Sequence, residues 1–181
     1  MIVNPTLIED CFIIQPKIFE DERGYFYESF NQNEFSQRTG IQNNFVQDNV
    51  SKSAKGVLRG LHFQEGENAQ AKLVRVIKGR VQDVVVDLRP NSRTFGNHFS
   101  IELSEENKRQ LFIPRGFAHG FLVLENDTIF SYKCDNYYNK KSERGIIYND
   151  SKLDIKWKQI NKDYKLSEKD LNLPKFKDLV L

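Results

Sequence analysis

The chain has 181 residues, long enough to bury one good core, and no Gly/Ser/Pro-rich linker divides it, so one domain spanning 1–181 is expected. Its 27 Lys and Arg stand against 25 Asp and Glu, so no global field favours nucleic acid or a membrane surface, and anion binding must come from local clusters. The N-terminal run MIVNPTLIEDCFII lacks a basic region followed by an apolar core and a small-residue cleavage site, and no window nears eighteen apolar residues, which points to a cytosolic protein.

Fourteen Phe and seven Tyr with few helical patterns indicate sheet, because aromatic side chains fit a pleated, half-buried surface. After Cys11, strands are expected at Phe12 to Ile18 and Gly24 to Phe30. A short helix over Asn33 to Arg38 closes at Gly40, and strands resume at Phe45 to Val50 and Val57 to Phe63. In Lys72 to Arg89, the spacing of Leu73, Ile77, Val81, Val84 and Val86 about a Lys78-Gly79 turn reads as a hairpin with one buried face. Further strands follow at His98 to Leu103, Gln110 to Ile113, Gly120 to Leu124 and Thr128 to Asp135. The Lys-rich stretch from Lys140 and the tail from Lys152 to Lys177 interleave bases with acids and read as solvated faces. Ser167 is a candidate N-cap for Glu168 to Leu171 ahead of Pro174, so 150–181 is expected to pack as short helices. No internal repeat appears, and many short strands between turns suggest a sandwich or barrel. Cys11 and Cys134 are far apart and outside any CxxC pattern, and read as small buried hydrophobes.

Two segments carry the chemistry. GVLRGLHFQ, Gly56 to Gln64, and IPRGFAHGF, Ile113 to Phe121, each end a hydrophobic run on a glycine-flanked corner that presents one histidine. Histidine holds the side-chain proton closest to neutral pH. A β-barrel carrying His62, His119, cationic and phenolic groups inside would suit proton transfer on an anionic substrate.

GVLRGLHFQ followed by AQAKLVRV, then VVDLR with Ser92 and Thr94, NKRQLFIPRGFAHGF, the Tyr132-Lys133-Cys134 strand and LSEKD together resemble the dTDP-4-dehydrorhamnose 3,5-epimerase family. The likeness runs from DERGYFYESF at Asp21 to LSEKD at Leu166. It implies a cupin-type jelly roll, a mainly β fold, that works as a homodimer without metal or other cofactor, the N-terminal strands contributing to the dimer. It also implies inversion of the two carbons flanking the ketone of a nucleotide-linked 4-keto-6-deoxyhexose, on the way to dTDP-L-rhamnose. Tyr148 departs from the pattern, where the family more often has tryptophan, and is expected to pack at the rim of the site.

A proton beside a ketone is weakly acidic, so inversion needs a base on one face, an acid on the other and positive charge at the carbonyl oxygen as the enolate forms. His62 is the best base in the sequence; the resemblance pairs it with Asp170, which would fix its tautomer. The resemblance makes Tyr132 the proton donor, with Tyr137 and Tyr138 as easily confused neighbours, and a phenol is protonated at neutral pH. It also points Lys72 and His119 at the ketone oxygen, although from the residues alone Lys72 reads as a surface lysine and His119 as a core or turn residue. A diphosphate calls for guanidinium forks, for which Arg23 and Arg59 are candidates, with Lys169 behind them. Base recognition would fall to Phe19 and Phe26 by stacking and to Gln47, Asp48 and Asn49 by hydrogen bonds, with Glu28, Tyr138 and Glu143 nearby. Phe19 and Phe26 serve equally well as packing residues. In the family, part of this group comes from the partner subunit.

Related cupins bind metal through a His-x-His pair, a Glu and a later His, but His62 is followed by Phe63 and Gln64, and His98 lies on a different strand. No metal is expected. Other readings stay open at this level: an epimerase of one carbon only, an epimerase of another nucleotide-linked keto-sugar such as a GDP-linked heptose, a non-catalytic sugar-nucleotide-binding cupin, and a metal-dependent cupin oxygenase.

Overall fold

The computed structural model describes residues 1–161 and 163–179; Lys162 of the basic tail, Val180 and Leu181 lie outside the described residues. Two antiparallel sheets face each other. The first holds six strands in the order β1 (Ile2–Pro5), β2 (Phe12–Gln15), β10 (Gln110–Ile113), β7 (Lys72–Lys78), β12 (Thr128–Cys134) and β5 (Gln47–Ser53). The second holds five in the order β13 (Glu143–Gly145), β6 (Leu58–Gln64), β11 (Phe117–Val123), β8 (Arg80–Asp87) and β9 (His98–Ser104). A separate two-stranded ribbon is made of β3 (Phe19–Asp21) and β4 (Gly24–Phe26). The mainly β expectation holds, in the form of an open sandwich rather than a closed barrel.

The Lys72 to Arg89 hairpin is not formed. β7 and β8 are consecutive in the chain, yet they belong to opposite sheets, and β7 pairs with β10 and β12 while β8 pairs with β9 and β11. Gly79, at a φ of 79°, turns the chain from one layer to the other. Val74 and Val76 of β7 meet Val81 and Val85 of β8 in the central core, while Ile77 is left 43% exposed.

β8 and β11 are buried along almost their whole length because both faces are covered. Inward, Val81, Val85, Phe117 and Phe121 join the core between the sheets. Outward, Val84, Val86 and Ala118 lie beneath Ile146, Leu153 and Phe176 of the C-terminal segment, with Trp157 beside them. Among the described residues of that segment, the helices are α2 (Glu168–Leu171) and a 3-10 turn at Phe176–Asp178. The Asp150 carboxylate fastens the remainder by accepting from the backbone N–H groups of Lys152, Leu153 and Phe176.

The outer face of the six-stranded sheet is covered by α1 (Gln32–Thr39), whose buried Phe35 packs among Phe30, Phe45 and Phe112. Its N-terminus is capped by the Asn31 side chain, which accepts from the Glu34 N–H, and Gly40 closes it at a φ of 73°. Ser167 caps α2 as expected, accepting from the Asp170 N–H. Cys11 and Cys134 are both buried and free. Among the described residues, no helix is long and apolar enough to cross a membrane.

Candidate active site

A cavity of about 800 Å³ opens between the two sheets. His62 and His119 were expected at exposed corners; both instead lie within strands, and they are register partners across β6 and β11. The glycines that suggested corners permit a close approach. A Cβ on Gly60 would lie 2.5 Å from the Gly120 Cα, and Gly60 has a φ of 121°. Between the pairs His119↔His62 and Phe121↔Arg59, β6 carries one more residue than β11. Such a bulge breaks the two-residue alternation. It lets Arg59 and His62, three positions apart, both line the cavity.

His62 Nε2 lies 2.6 Å from Asp170 Oδ1. The C-terminal tail makes this contact possible: Val57 bridges Lys165 in parallel, and the Lys165 carbonyl accepts from the Leu58 N–H, which lays α2 along the start of β6. Burial opposes ionisation of Asp170, but hydrogen bonds from His62, from the Ser167 hydroxyl at 2.7 Å and from the Gly60 amide outweigh it and hold the carboxyl below its ordinary range. An ionised Asp170 accepts from Nε2–H, which leaves Nδ1 as the basic nitrogen of the neutral ring.

Tyr132 faces the cavity from the opposite sheet, on the same side of β12 as Phe130 and Cys134. Burial raises its phenol above the ordinary value, with Cys134 and Glu143 adding and Arg59 opposing, so the group stays protonated. Lys72, at the start of β7, also lines the cavity, and among the described residues its ammonium makes no ion pair. Burial draws Lys72 below its ordinary pKa, against the nearby Asp83 and Glu143 carboxylates. His119 lines the cavity next to β6, its ring stacked at 6.0 Å on Phe130 and its Nε2 2.9 Å from Asp83 Oδ2.

The rim is polar. Glu143 accepts from the Tyr138 hydroxyl at 2.8 Å and pairs with Lys169, and these bonds hold its carboxyl below the ordinary range despite burial. Gln47 and Asn49 point inward from β5, but their amides are engaged within the chain. The Gln47 carbonyl accepts from the Tyr138 N–H, while its NH₂ donates to Asn49. Gln64 likewise accepts from the Asn139 N–H, and Gln70 donates to the Asn136 carbonyl. Three amides thus fix the loop that carries Tyr138, a task that the sequence did not assign to Gln64 or Gln70.

Five expected site residues are not brought to the cavity within one chain. Asp48 points to the outer face of β5 by strand alternation and pairs with its cross-strand neighbour Lys133 at 2.9 Å. Glu28 accepts from Asn31 near the start of α1. Arg23 lies on the ribbon with its guanidinium on Asp21, and Phe19 and Phe26, register partners there, are 52% and 67% exposed. Tyr148 does not reach the rim; it packs edge-on against Tyr164. Among the described residues, the group of three side chains spaced to hold a metal ion, Glu105, Glu106 and Glu125, lies away from the cavity. Asp83, buried against His119, was not singled out from sequence, although a carboxylate between Val81 and Val85 on the inward alternation of β8 was a visible signal.

A family profile described as dTDP-4-dehydrorhamnose 3,5-epimerase matches residues 5–178. A Shigella flexneri protein of that name is 53% identical over 178 residues, which is 98% of this chain and 97% of the relative. Among solved structures, the dTDP-4-dehydrorhamnose 3,5-epimerase of Elizabethkingia anophelis superposes with a TM-score of 0.94 at 59% identity, covering 98% of this chain and 97% of the other. The dTDP-6-deoxy-D-glucose-3,5-epimerase of Legionella pneumophila, solved in complex with dTDP-4-keto-L-rhamnose, gives 0.94 at 48% identity, covering 98% and 94%.

Proposed function

The chain belongs to the dTDP-4-dehydrorhamnose 3,5-epimerase family, and we propose that the cavity between its sheets is where carbons 3 and 5 of dTDP-4-dehydro-6-deoxy-D-glucose are inverted. The activity is that of an isomerase of dTDP-L-rhamnose biosynthesis. Substrate and dTDP-4-dehydro-L-rhamnose differ only in configuration at the carbons flanking the ketone, so the chemistry is proton removal and return with no redox step.

His62 Nδ1 takes the proton from carbon 5 and then carbon 3, while Asp170 stabilises the imidazolium that forms. The bonding pair left on carbon moves toward the ketone oxygen. Lys72 and His119 donate to that oxygen as it becomes an enolate. Tyr132 delivers a proton to the opposite face of the carbon, and the resulting phenolate and imidazolium exchange a proton through solvent before the next inversion. The observation that carries this reading is that His62 and Tyr132 face one cavity from opposing sheets, so a ring between them has a base on one side and an acid on the other.

Arg59 and Lys169 suit the diphosphate, and Tyr138, whose N–H is held by Gln47 while Gln64 holds that of the adjacent Asn139, suits the base. Arg23, Phe19, Phe26 and Glu28 lie outside this chain's own cavity, with exposed aromatics on a ribbon that joins neither sheet. This favours a homodimer in which the ribbon of one copy completes the site of the other. The test is turnover of dTDP-4-dehydro-6-deoxy-D-glucose in heavy water. Product carrying deuterium at carbons 3 and 5 is expected; recovery of unlabelled substrate would overturn the reading.

A further inference from the structure

The proposed mechanism gives no task to the Asp83 carboxyl, which is buried against His119. Asp83 has no exposed surface and sits in β8 among valines, on the inward face beneath the cavity. A carboxylate held away from water is costly unless a partner compensates it. Its Oδ2 meets His119 Nε2 at 2.9 Å, while its Oδ1 is buried without a hydrogen-bond partner among the described residues. Lys72 is the other cation close enough to act on it.

We propose that Asp83 is a positioning residue for the enolate site, sharing a proton with His119 Nε2 so that His119 Nδ1 carries the hydrogen that faces the ketone oxygen. The inference rests on the epimerase reading above. His119 Nε2 is turned toward β8, so Nδ1 is the ring nitrogen left for the cavity. If Asp83 were ionised and His119 neutral, the ring proton would sit on Nε2, and Nδ1 would offer a lone pair to an oxygen that is gaining negative charge. One more proton on the pair removes the conflict. Drawn as carboxylate with imidazolium or as carboxylic acid with the neutral Nδ1–H ring, the pair places hydrogen on Nδ1. Burial raises the Asp83 carboxyl, with His119 and Lys72 opposing, a direction that favours keeping this extra proton. Phe130, stacked on the imidazole, holds the ring plane in which the Nδ1–H bond points.

Two measurements test the proposal. In ¹⁵N-histidine-labelled protein saturated with dTDP, with the signal assigned by its loss in His119→Gln, His119 Nδ1 is expected to carry a proton; a bare Nδ1 overturns the proposal. Asp83→Asn, whose NH₂ can donate to Nε2 as the shared proton does, should keep hydrogen on Nδ1 and hold kcat within about 3-fold of wild type, whereas Asp83→Leu, which leaves Nε2 without a partner, should lower kcat by ~10- to 10²-fold, up to the loss seen when an oxyanion donor is removed, with KM within about 3-fold and dTDP affinity unchanged. Unchanged kcat in Asp83→Leu, an equal loss of kcat in both variants, or a loss of dTDP affinity matching that of kcat, as a merely structural role would give, overturns it. Absence of deuterium incorporation by the wild-type protein would instead sink the epimerase reading, whereas an active enzyme with a bare Nδ1 sinks only the role of Asp83.

Discussion

Asp170→Asn isolates the carboxylate that makes His62 a base. Asp170 is 4% exposed, and its Oδ1 lies 2.6 Å from His62 Nε2. When His62 takes a substrate proton, a cation forms with its charge centre ~4 Å from the carboxylate; at an effective dielectric of ~20 the attraction is ~4 kcal/mol. At ~1.4 kcal/mol per tenfold, that is about three powers of ten in rate. The amide adds a second effect, since its NH₂ can donate to Nε2 and move the ring proton to Nδ1, the atom that should accept. The expected loss in kcat is ~10²- to 10⁴-fold, measured as deuterium incorporation from heavy water. The Ser167 cap bonds the backbone N–H of residue 170, which survives the substitution, so dTDP affinity should change little. A variant within about 3-fold of wild type would refute the role given to this carboxylate and, with it, the tautomer assigned to His62.

Tyr132→Phe removes the acid but not the base, so net inversion should fall by ~10²-fold or more while His62 still exchanges the carbon proton with retention; equal loss of both would place the donor elsewhere. Gly60→Ala would press a Cβ to 2.5 Å from the Gly120 Cα at a φ of 121°, and urea titration should show a loss of ~2–4 kcal/mol; an unchanged midpoint contradicts the bulge geometry. Asp87 is held below its ordinary carboxyl value: burial opposes this, but Arg89, Ser92 and Thr94 outweigh it. Because the folded pKa is the lower one, this stabilisation is present above the unfolded value near pH ~3.9 and is lost as pH falls through the folded value. Asp87→Asn should therefore flatten the acid limb of the stability curve, read by circular dichroism, and an unaltered limb would refute the linkage. Burial pushes the thiols of Cys11 and Cys134 up to about 12 and about 11, so neither should react with iodoacetamide at pH 8 until the chain is unfolded; rapid native alkylation would count against the core described. If sites are shared, an equimolar mixture of Arg23→Ala and His62→Ala chains should recover about a quarter of wild-type activity after subunit exchange; no recovery argues that the ribbon serves its own chain.

Local features of the fold were legible where one physical cause dominates. β10 spans the expected Gln110–Ile113, and Gly40 and Ser167 close and open the two helices as their backbone chemistry suggests. Layer membership was not legible. Alternation tells which side chains share a face but not which sheet a strand joins, and β8, buried on both faces, has little alternation to read. The same limit explains the histidines: glycine beside a polar residue reads as a corner, whereas Gly60 and Gly120 bring two strands close enough for His62 and His119 to pair. Asp170 is 108 positions from His62, and no periodicity connects them; the family resemblance supplied that pairing, and the Lys165 bridge to Val57 supplies its structural cause. Arg23, Phe19 and Phe26 sit on a ribbon whose short strands carry exposed rings, a pattern that sequence cannot separate from ordinary surface.

The account depends most on His62 and Tyr132 approaching the sugar from opposite sides. A crystal structure with dTDP-4-keto-L-rhamnose bound measures this directly. It should show His62 Nδ1 and the Tyr132 hydroxyl within ~3–3.5 Å of the same ring carbons on opposite faces of the hexulose. Both groups on one face, or Tyr132 out of reach of carbons 3 and 5, would contradict it.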